Sequence, residues 1–250
     1  MTTQEKRFLD GYDPDEFDRP SVTVDLVIFT VIDTDLKVLL VRRGAHPFKG
    51  AWALPGGFVN AGRGRKNQGE DIATAAHREL AEETGLPQGS CYLEQLYTFG
   101  RAGRDPRTRV ITVAWYALVR PGLAQLIHAG DDAAEAQWFS VAEEVQWMRL
   151  AFDHAEILAM GVERIRGKID YCDIAFDLVP QTFTVAELRA VHEAIQDKTH
   201  DPRNFRRRFQ RMVTDGIIVP APGKRHRGKA RPAKVWRYSR TASEEASPGP

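Results

Sequence analysis

Leu54–Leu86, LPGGFVNAGRGRKNQGEDIATAAHRELAEETGL, is the stretch whose reading decides the fold. Its second half has the pattern of one helix from about Glu70 to Thr84, stopped by Gly85 at a C-cap position. At 100° per residue, Ala73, Ala76 and Leu80 fall on one stripe, suited to packing against a sheet. Glu79, Glu82 and Glu83 gather on an adjacent arc. Carboxylates at i, i+3 and i+4 repel one another by roughly a few tenths of a kcal/mol per pair in water. A hard divalent cation removes that repulsion, and Mg²⁺ takes carboxylate and phosphate oxygens. Arg78 stands four residues before Glu82, the spacing for an ion pair that holds that carboxylate. Taken alone, the cluster also reads as a solvated acidic helix face.

The flanks decide between these readings. Pro55-Gly56-Gly57 supplies a tight turn before the helix and Gly85 closes it. The order Gly, Glu70, Arg78-Glu79-Leu80, Glu82-Glu83, Gly85-Leu86 resembles the Nudix box, G-x5-E-x7-R-E-U-x-E-E-x-G-U, with U aliphatic. Every prescribed position is filled if the first glycine is Gly64. In most members of that family the glycine instead ends a P-G-G turn and the glutamate follows six positions later. Here Gly57 and Glu70 stand 13 apart, so residues 62–68 (GRGRKNQ) read as an insert of seven. That insert is either a cap over a phosphate or a mobile surface loop.

Composition bounds the rest. The 250 residues suit one large or two modest domains, and 42% hydrophobic with 28% charged content is that of a soluble protein. No apolar run approaches the ~20 residues of a membrane span, and the polar start is no signal peptide. Cys91 and Cys172 lie far apart and form no metal-type pair, which fits reduced thiols in a cytoplasmic protein. The net charge of +1 hides an asymmetry. Residues 201–240 carry 13 Lys or Arg against Asp201 and Asp215, while the other 210 residues hold 22 basic and 32 acidic side chains. An acidic body with a basic end is the pattern of a chain that meets nucleic acid at that end.

Residues 1–20 read as an N-terminal arm or a disordered leader, in which Phe8, Tyr12 and Phe17 offer a way to dock on a neighbour. Ser21 to Ile32 is β-branched and reads as a strand, and Leu36 to Arg42 returns after Asp33-Thr34-Asp35 as its hairpin partner. Strands are expected at Tyr92 to Phe99, Val110 to Leu118 and Gln137 to Val141, and a long helix from Phe152 to Arg166. The connector GRAGRDPRTR sets four arginines, Arg101, Arg104, Arg107 and Arg109, in nine positions. They either hold a pyrophosphate or form a solvated hairpin end. Strands around one carboxylate-bearing helix fit an α/β fold, and the family resemblance implies an α/β/α sandwich with a mixed sheet over residues 21–168.

A second module is expected over 171–240, with 241–250 a disordered tail. Thr184 and Glu187 make a capping box at a helix start, with Phe183 and Leu188 at the staple positions. A following helix begins at Asp201-Pro202, an N-cap residue and a first-turn proline. Phe205, Phe209 and Met212 share its core face. Arg203, Asn204, Arg206, Arg207 and Arg211 are its DNA-facing candidates. Ile217 to Val219 and Lys234 to Tyr238 read as strands around a basic loop carrying Lys224, Arg225 and Arg227. Helix, arginine-faced helix and basic hairpin are the layout of a small winged helix-turn-helix, whose second helix enters the major groove while its wing touches phosphates.

The pairing of modules, with EQLYTFGRAGRDPRTRV, DPRNFRRRF and GKARPAKVWRY, resembles the Nudix-related transcriptional regulators of the NrtR group. That resemblance implies a dimeric repressor of NAD synthesis or salvage genes that binds double-stranded operator DNA. ADP-ribose or a related nucleotide would release it, with Gly56, Gly57, Arg104 and Arg107 at the effector site. The alternative is a Mg²⁺-dependent hydrolase of a nucleoside diphosphate linked to another moiety. In it, Glu70, Arg78, Glu79, Glu82 and Glu83 form the catalytic set, and Glu79, Glu82 and Glu83 hold the metal. The box is complete, so a protein with both activities also stays open.

Overall fold

The computed structural model describes residues 1–13, 16–62, 68–127, 133–225 and 232–239. The expected tail at 241–250, the middle of the insert and Arg227 lie outside the described residues. Among the described residues, no helix is long and apolar enough to cross a membrane. Within the expected arm, Thr3–Gly11 form α1, opened by a Thr2–Glu5 capping box, and none of its residues is buried.

One mixed sheet of seven strands organises the first module. β1 (Ser21–Ile32) lies at its centre, parallel to β6 (Val110–Leu118) and antiparallel to β2 (Asp35–Arg43). β5 (Tyr92–Phe99) edges β6, β3 (Trp52–Ala53) and β7 (Ala133–Ser140) pair with β2, and β4 (Gly56–Phe58) pairs with the start of β1. β1 is buried on both faces, which explains its nearly unbroken apolar run. Val24, Leu26 and Ile28 point to one side, Val27, Phe29 and Val31 to the other. Each such side chain removed from water contributes about 1.5–3 kcal/mol.

The first side is covered by α2 (Ile72–Thr84) through Ala75, Ala76 and Leu80, with the short α3 (Pro121–Ala124) beside it. Ala73, expected on that stripe, is exposed, and Ala75 takes its place. The helix also starts two residues later than expected, leaving Glu70 in the preceding loop. Gly85 ends it in the left-handed region at φ 69°, its N–H donating to the Ala81 carbonyl at 2.8 Å. The second side is covered by α4 (His154–Lys168). Ile157, Leu158 and Val162 join the core there. The lack of a side chain at Gly161 lets α4 lie close, since a Cβ there would stand 3.2 Å from Val27. The result is the expected α/β/α sandwich.

A short 3₁₀ turn, Asp173–Asp177, leads to the second module. α5 (Val185–Gln196) opens with the expected capping box, and α6 (Pro202–Thr214) with Asp201 accepting from the N–H groups of Arg203 and Asn204. Such caps contribute about 1 kcal/mol each. β8 (Ile218–Arg225) and β9 (Ala233–Tyr238) form the wing hairpin, longer on its first side than expected. Phe183, Leu188, Ile195, Phe205 and Phe209 belong to the same apolar cluster as Phe29 and Ile157. The two modules therefore share one continuous core.

Candidate functional site

Glu79 reaches its place because β4 has no side chain to stop it. A Cβ on Gly57 would lie 2.2 Å from the Glu79 carboxylate. Arg78 gathers the remaining acids. Its Nη1 donates to Glu79 at 2.7 Å and Glu82 at 2.9 Å, and its Nη2 to Glu70 at 2.7 Å and the Phe58 carbonyl at 3.1 Å. The Glu70 N–H donates to the Asn60 carbonyl, and the Asn60 N–H in turn donates to the Glu70 carboxylate, each at 2.9 Å. Arg78 and that N–H hold the Glu70 pKa below the usual carboxylate range. Burial pushes Glu79 up, against the opposing pull of Arg78. Four predicted residues, Glu70, Arg78, Glu79 and Glu82, thus form one group around the loop and helix, and the fifth, Glu83, follows Glu82 on α2.

The donor chemistry suits a hard divalent cation: three glutamates on adjacent turns beside the bare backbone of Gly57. Their present aim is different. Glu79 and Glu82 turn to Arg78, and among the described residues no three acidic, histidine or cysteine side chains converge closely enough to ligate an ion.

Behind Gly56 and Gly57 lies a cavity of about 150 Å³. Arg104 and Arg107 both line it, yet differently. The Arg104 guanidinium makes a two-bond fork with Asp153, 2.9 and 2.7 Å, and a third bond of 3.2 Å to Asp25. Burial works against its charge, and the two aspartates outweigh that, so its pKa stands above the ordinary value. Arg107 forks onto Asp105 and lies over the rings of Phe58 and Phe152, 5.4 and 6.0 Å from their centroids. It remains half-exposed at the mouth. Arg101 pairs with Glu156 at 3.3 Å on the surface, and Arg109 is exposed.

Sequence reasoning missed three contributors to this cavity. Arg43, one position past the expected strand end, sits 4.8 Å over the Phe152 ring. Asp25 was hidden in an apolar run, and its charge was the one available signal. His154 accepts the Leu54 N–H at Nδ1, 2.8 Å, and burial pushes its pKa below the ordinary value.

The winged-helix surface contrasts with this. Phe205 and Phe209 are buried and Met212 packs beside them, as expected. Arg203, Asn204, Arg206, Arg207 and Arg211 are exposed together on the other side of α6. Arg207 donates to Asn204, and among the described residues none of these four arginines pairs with a carboxylate. Lys224 is exposed in the wing. Arg225 is not: its guanidinium turns inward to Glu187 at 2.7 Å and the Thr182 carbonyl at 2.9 Å, bracing the wing against the capping box of α5. Arg189, missed in the sequence, joins Arg206, Lys224 and Lys234 around a groove of about 680 Å³ with Trp236 in its lining.

Comparison with known proteins gives a consistent picture. The NUDIX domain family matches residues 22–160 and the NrtR DNA-binding winged helix domain matches 175–238. The ADPR responsive transcriptional repressor NtrR of Acinetobacter baylyi is 34% identical over 239 residues, spanning 95% of this chain and 89% of that protein. An ADP-ribose pyrophosphatase of Methanocaldococcus jannaschii is 40% identical over 139 residues, 56% of this chain and 71% of the enzyme. Among solved structures, Shewanella oneidensis NrtR complexed with a 27mer DNA superposes with a TM-score of 0.72 at 32% identity, covering 89% of this chain and 95% of the other.

Proposed function

This chain belongs to the Nudix family and carries the winged helix domain of the NrtR regulators, and from that membership we propose that it is a transcriptional repressor of NAD-metabolism genes. In this reading it binds operator DNA through α6 and the wing, as a symmetric dimer in the cytoplasm, and ADP-ribose or a related nucleotide releases it. The observation that carries the reading is the exposed face of Arg203, Arg206, Arg207 and Arg211, four cations with no carboxylate partner among the described residues. Unpaired cations on a helix held forward by Phe205 and Phe209 are what a polyanion needs. Dimerisation supplies a second half-site.

The effector end rests on the cavity beside Gly56 and Gly57. Arg107 and Arg43 present two cations around Phe152, chemistry suited to a diphosphate beside a planar ring. Nudix hydrolases generally use a divalent metal. We assign Mg²⁺ to Glu79, Glu82 and Glu83, where a bound cation would neutralise the charge of a diphosphate. The test is DNA binding titrated with ADP-ribose, with and without Mg²⁺. Affinity that falls with ligand supports a regulator, and flat curves in both conditions refute this effector.

A second reading has its own observation: Arg78 gathers Glu70, Glu79 and Glu82 into one acidic set, and a pyrophosphatase resembles the first module. Hydrolysis of ADP-ribose in the same samples, abolished by Glu82→Gln with Glu83→Gln, would make the protein an enzyme as well.

A further inference from the structure

α4 is tied at both ends by an aspartate–arginine pair. The two arginines come from the two surfaces that the proposed function has to connect. At the N-terminal end, Asp153 forks onto Arg104, and both side chains are less than 5% exposed. Just before it, Phe152 is held in the left-handed region at φ 53°, with Phe48 edge-on to its ring at 4.8 Å. At the other end, two residues past Lys168, Asp170 accepts from Arg208 of α6 at 2.8 Å. The same guanidinium donates to the carbonyls of Asp170 and Ile169 at 3.2 and 3.4 Å, where a helix C-terminus favours a cation. Gln196 of α5 donates to the second Asp170 oxygen at 2.8 Å, and Arg166 to the Ile195 carbonyl at 3.0 Å.

Between these ties run 15 residues of helix, about 22 Å at 1.5 Å per residue. Ile157, Val162 and Ile165 pack its buried side into the shared core. A rod so packed shifts as a unit rather than bending.

We propose that α4 is a strut conveying the state of the cavity to α6, with Asp153 and Asp170 as its positioning residues. The inference rests on the reading that a diphosphate-bearing nucleotide enters that cavity. Arg104 lines the cavity, so an incoming diphosphate is a second anion for a guanidinium now held by Asp153 and Asp25. The newcomer attracts Arg104 and repels both aspartates. The fork to Asp153 loosens, the first turn of α4 is released, and the last turn carries the shift into α6 through Arg208. Arg208 is suited to this because it turns to α4 while its neighbours Arg206 and Arg207 face outward.

The experiment uses the full chain and a labelled duplex that the protein itself selects from a random-sequence pool. DNA affinity is read by anisotropy with and without ADP-ribose, and ADP-ribose affinity by calorimetry on the same samples. In the parent protein, saturating ADP-ribose weakens DNA binding by roughly 5–150-fold, the usual range of such couplings. Arg208→Ala binds ADP-ribose as the parent does, yet its DNA response shrinks to within about twofold, and Arg208→Lys, which keeps a donor for Asp170, recovers most of it. Asp153→Asn frees Arg104, so it binds ADP-ribose at least as tightly while transmitting little. A mere packing defect would weaken ligand binding and response together. Full parental coupling in Arg208→Ala overturns the strut and leaves the regulator standing. A parent whose DNA affinity ignores ADP-ribose overturns both.

Discussion

The connector 101–109 and the helix stretch 203–211 look alike on paper, with four and five arginines in nine positions. The folded chain treats them oppositely. Around the connector it places Asp25, Asp105, Asp153 and Glu156, and three of the four arginines end in ion pairs. Among the described residues, one acid forms an ion pair with an arginine of α6, Asp170, which engages Arg208 from the side facing α4. The remaining four arginines are left to solvent. Arginine density therefore assigns no role. What assigns it is whether the fold supplies carboxylates within reach, because a paired guanidinium meets a ligand only in competition with its own carboxylate, whereas a free one is open to any anion.

The comparison breaks most visibly through stability. Arg104→Ala leaves Asp153 and Asp25 buried without their cation, which is expected to cost about 3–5 kcal/mol of unfolding free energy. Arg206→Ala, on the exposed face, should stay within about 0.5 kcal/mol of the parent. Denaturant titration of the two variants side by side decides, and equal losses would erase the distinction between the two regions.

DNA binding reverses the ranking. Arg206→Ala should weaken the complex by about 1–3 kcal/mol if it reads a base, and lower the salt slope by about 1 if it meets a phosphate. Anisotropy at several salt concentrations separates the two. No change in either quantity would move α6 out of the DNA interface.

A pH experiment sharpens the contrast between free and enclosed groups within the second module. Burial pushes the His192 pKa down to about 3. Unfolded, it titrates near 6.5, so the unfolded chain takes up a proton that the folded chain refuses. Stability from this group is present above about 6.5 and is lost as pH falls toward 3, about 2 kcal/mol of it by pH 5. Comparing unfolding at pH 7 and pH 5 in the parent and in His192→Leu isolates the effect. An equal acid loss in both proteins would exclude His192 as its source.

The smallest effect tests the wing brace. Removing an acid beside a basic groove should tighten DNA binding if charge alone matters. Because Glu187 holds both Arg225 and the N-cap Thr184, Glu187→Gln should instead weaken it, by about 1 kcal/mol. Arg225→Ala should weaken binding with its salt slope unchanged, as befits a side chain that meets no phosphate. Tighter binding by Glu187→Gln would show that the wing needs no brace.

Read locally, the chain declared much of this. Thr184, Glu187 and Asp201-Pro202 marked helix starts, Gly85 marked a helix end, and the β-branched run of β1 marked a strand, because capping and local propensity involve residues within a few positions of each other. The carboxylate cluster around Arg78 was legible for the same reason. Its one long step, from Gly57 to Glu70, was the place where spacing alone left the loop undecided. Ala73 misled because a stripe drawn at 100° per residue does not say where the sheet lies.

By itself, then, the sequence determined the two modules, most of their helices and strands, and which residues carry charge. The tertiary structure alone decided which charges are already answered. Arg104 lies 49 positions from Asp153, Arg208 lies 38 from Asp170, and Arg225 lies 38 from Glu187. No local pattern links residues so far apart. Their pairing depends on how α4, α5 and the wing pack into one core, and a guanidinium's role follows from that packing.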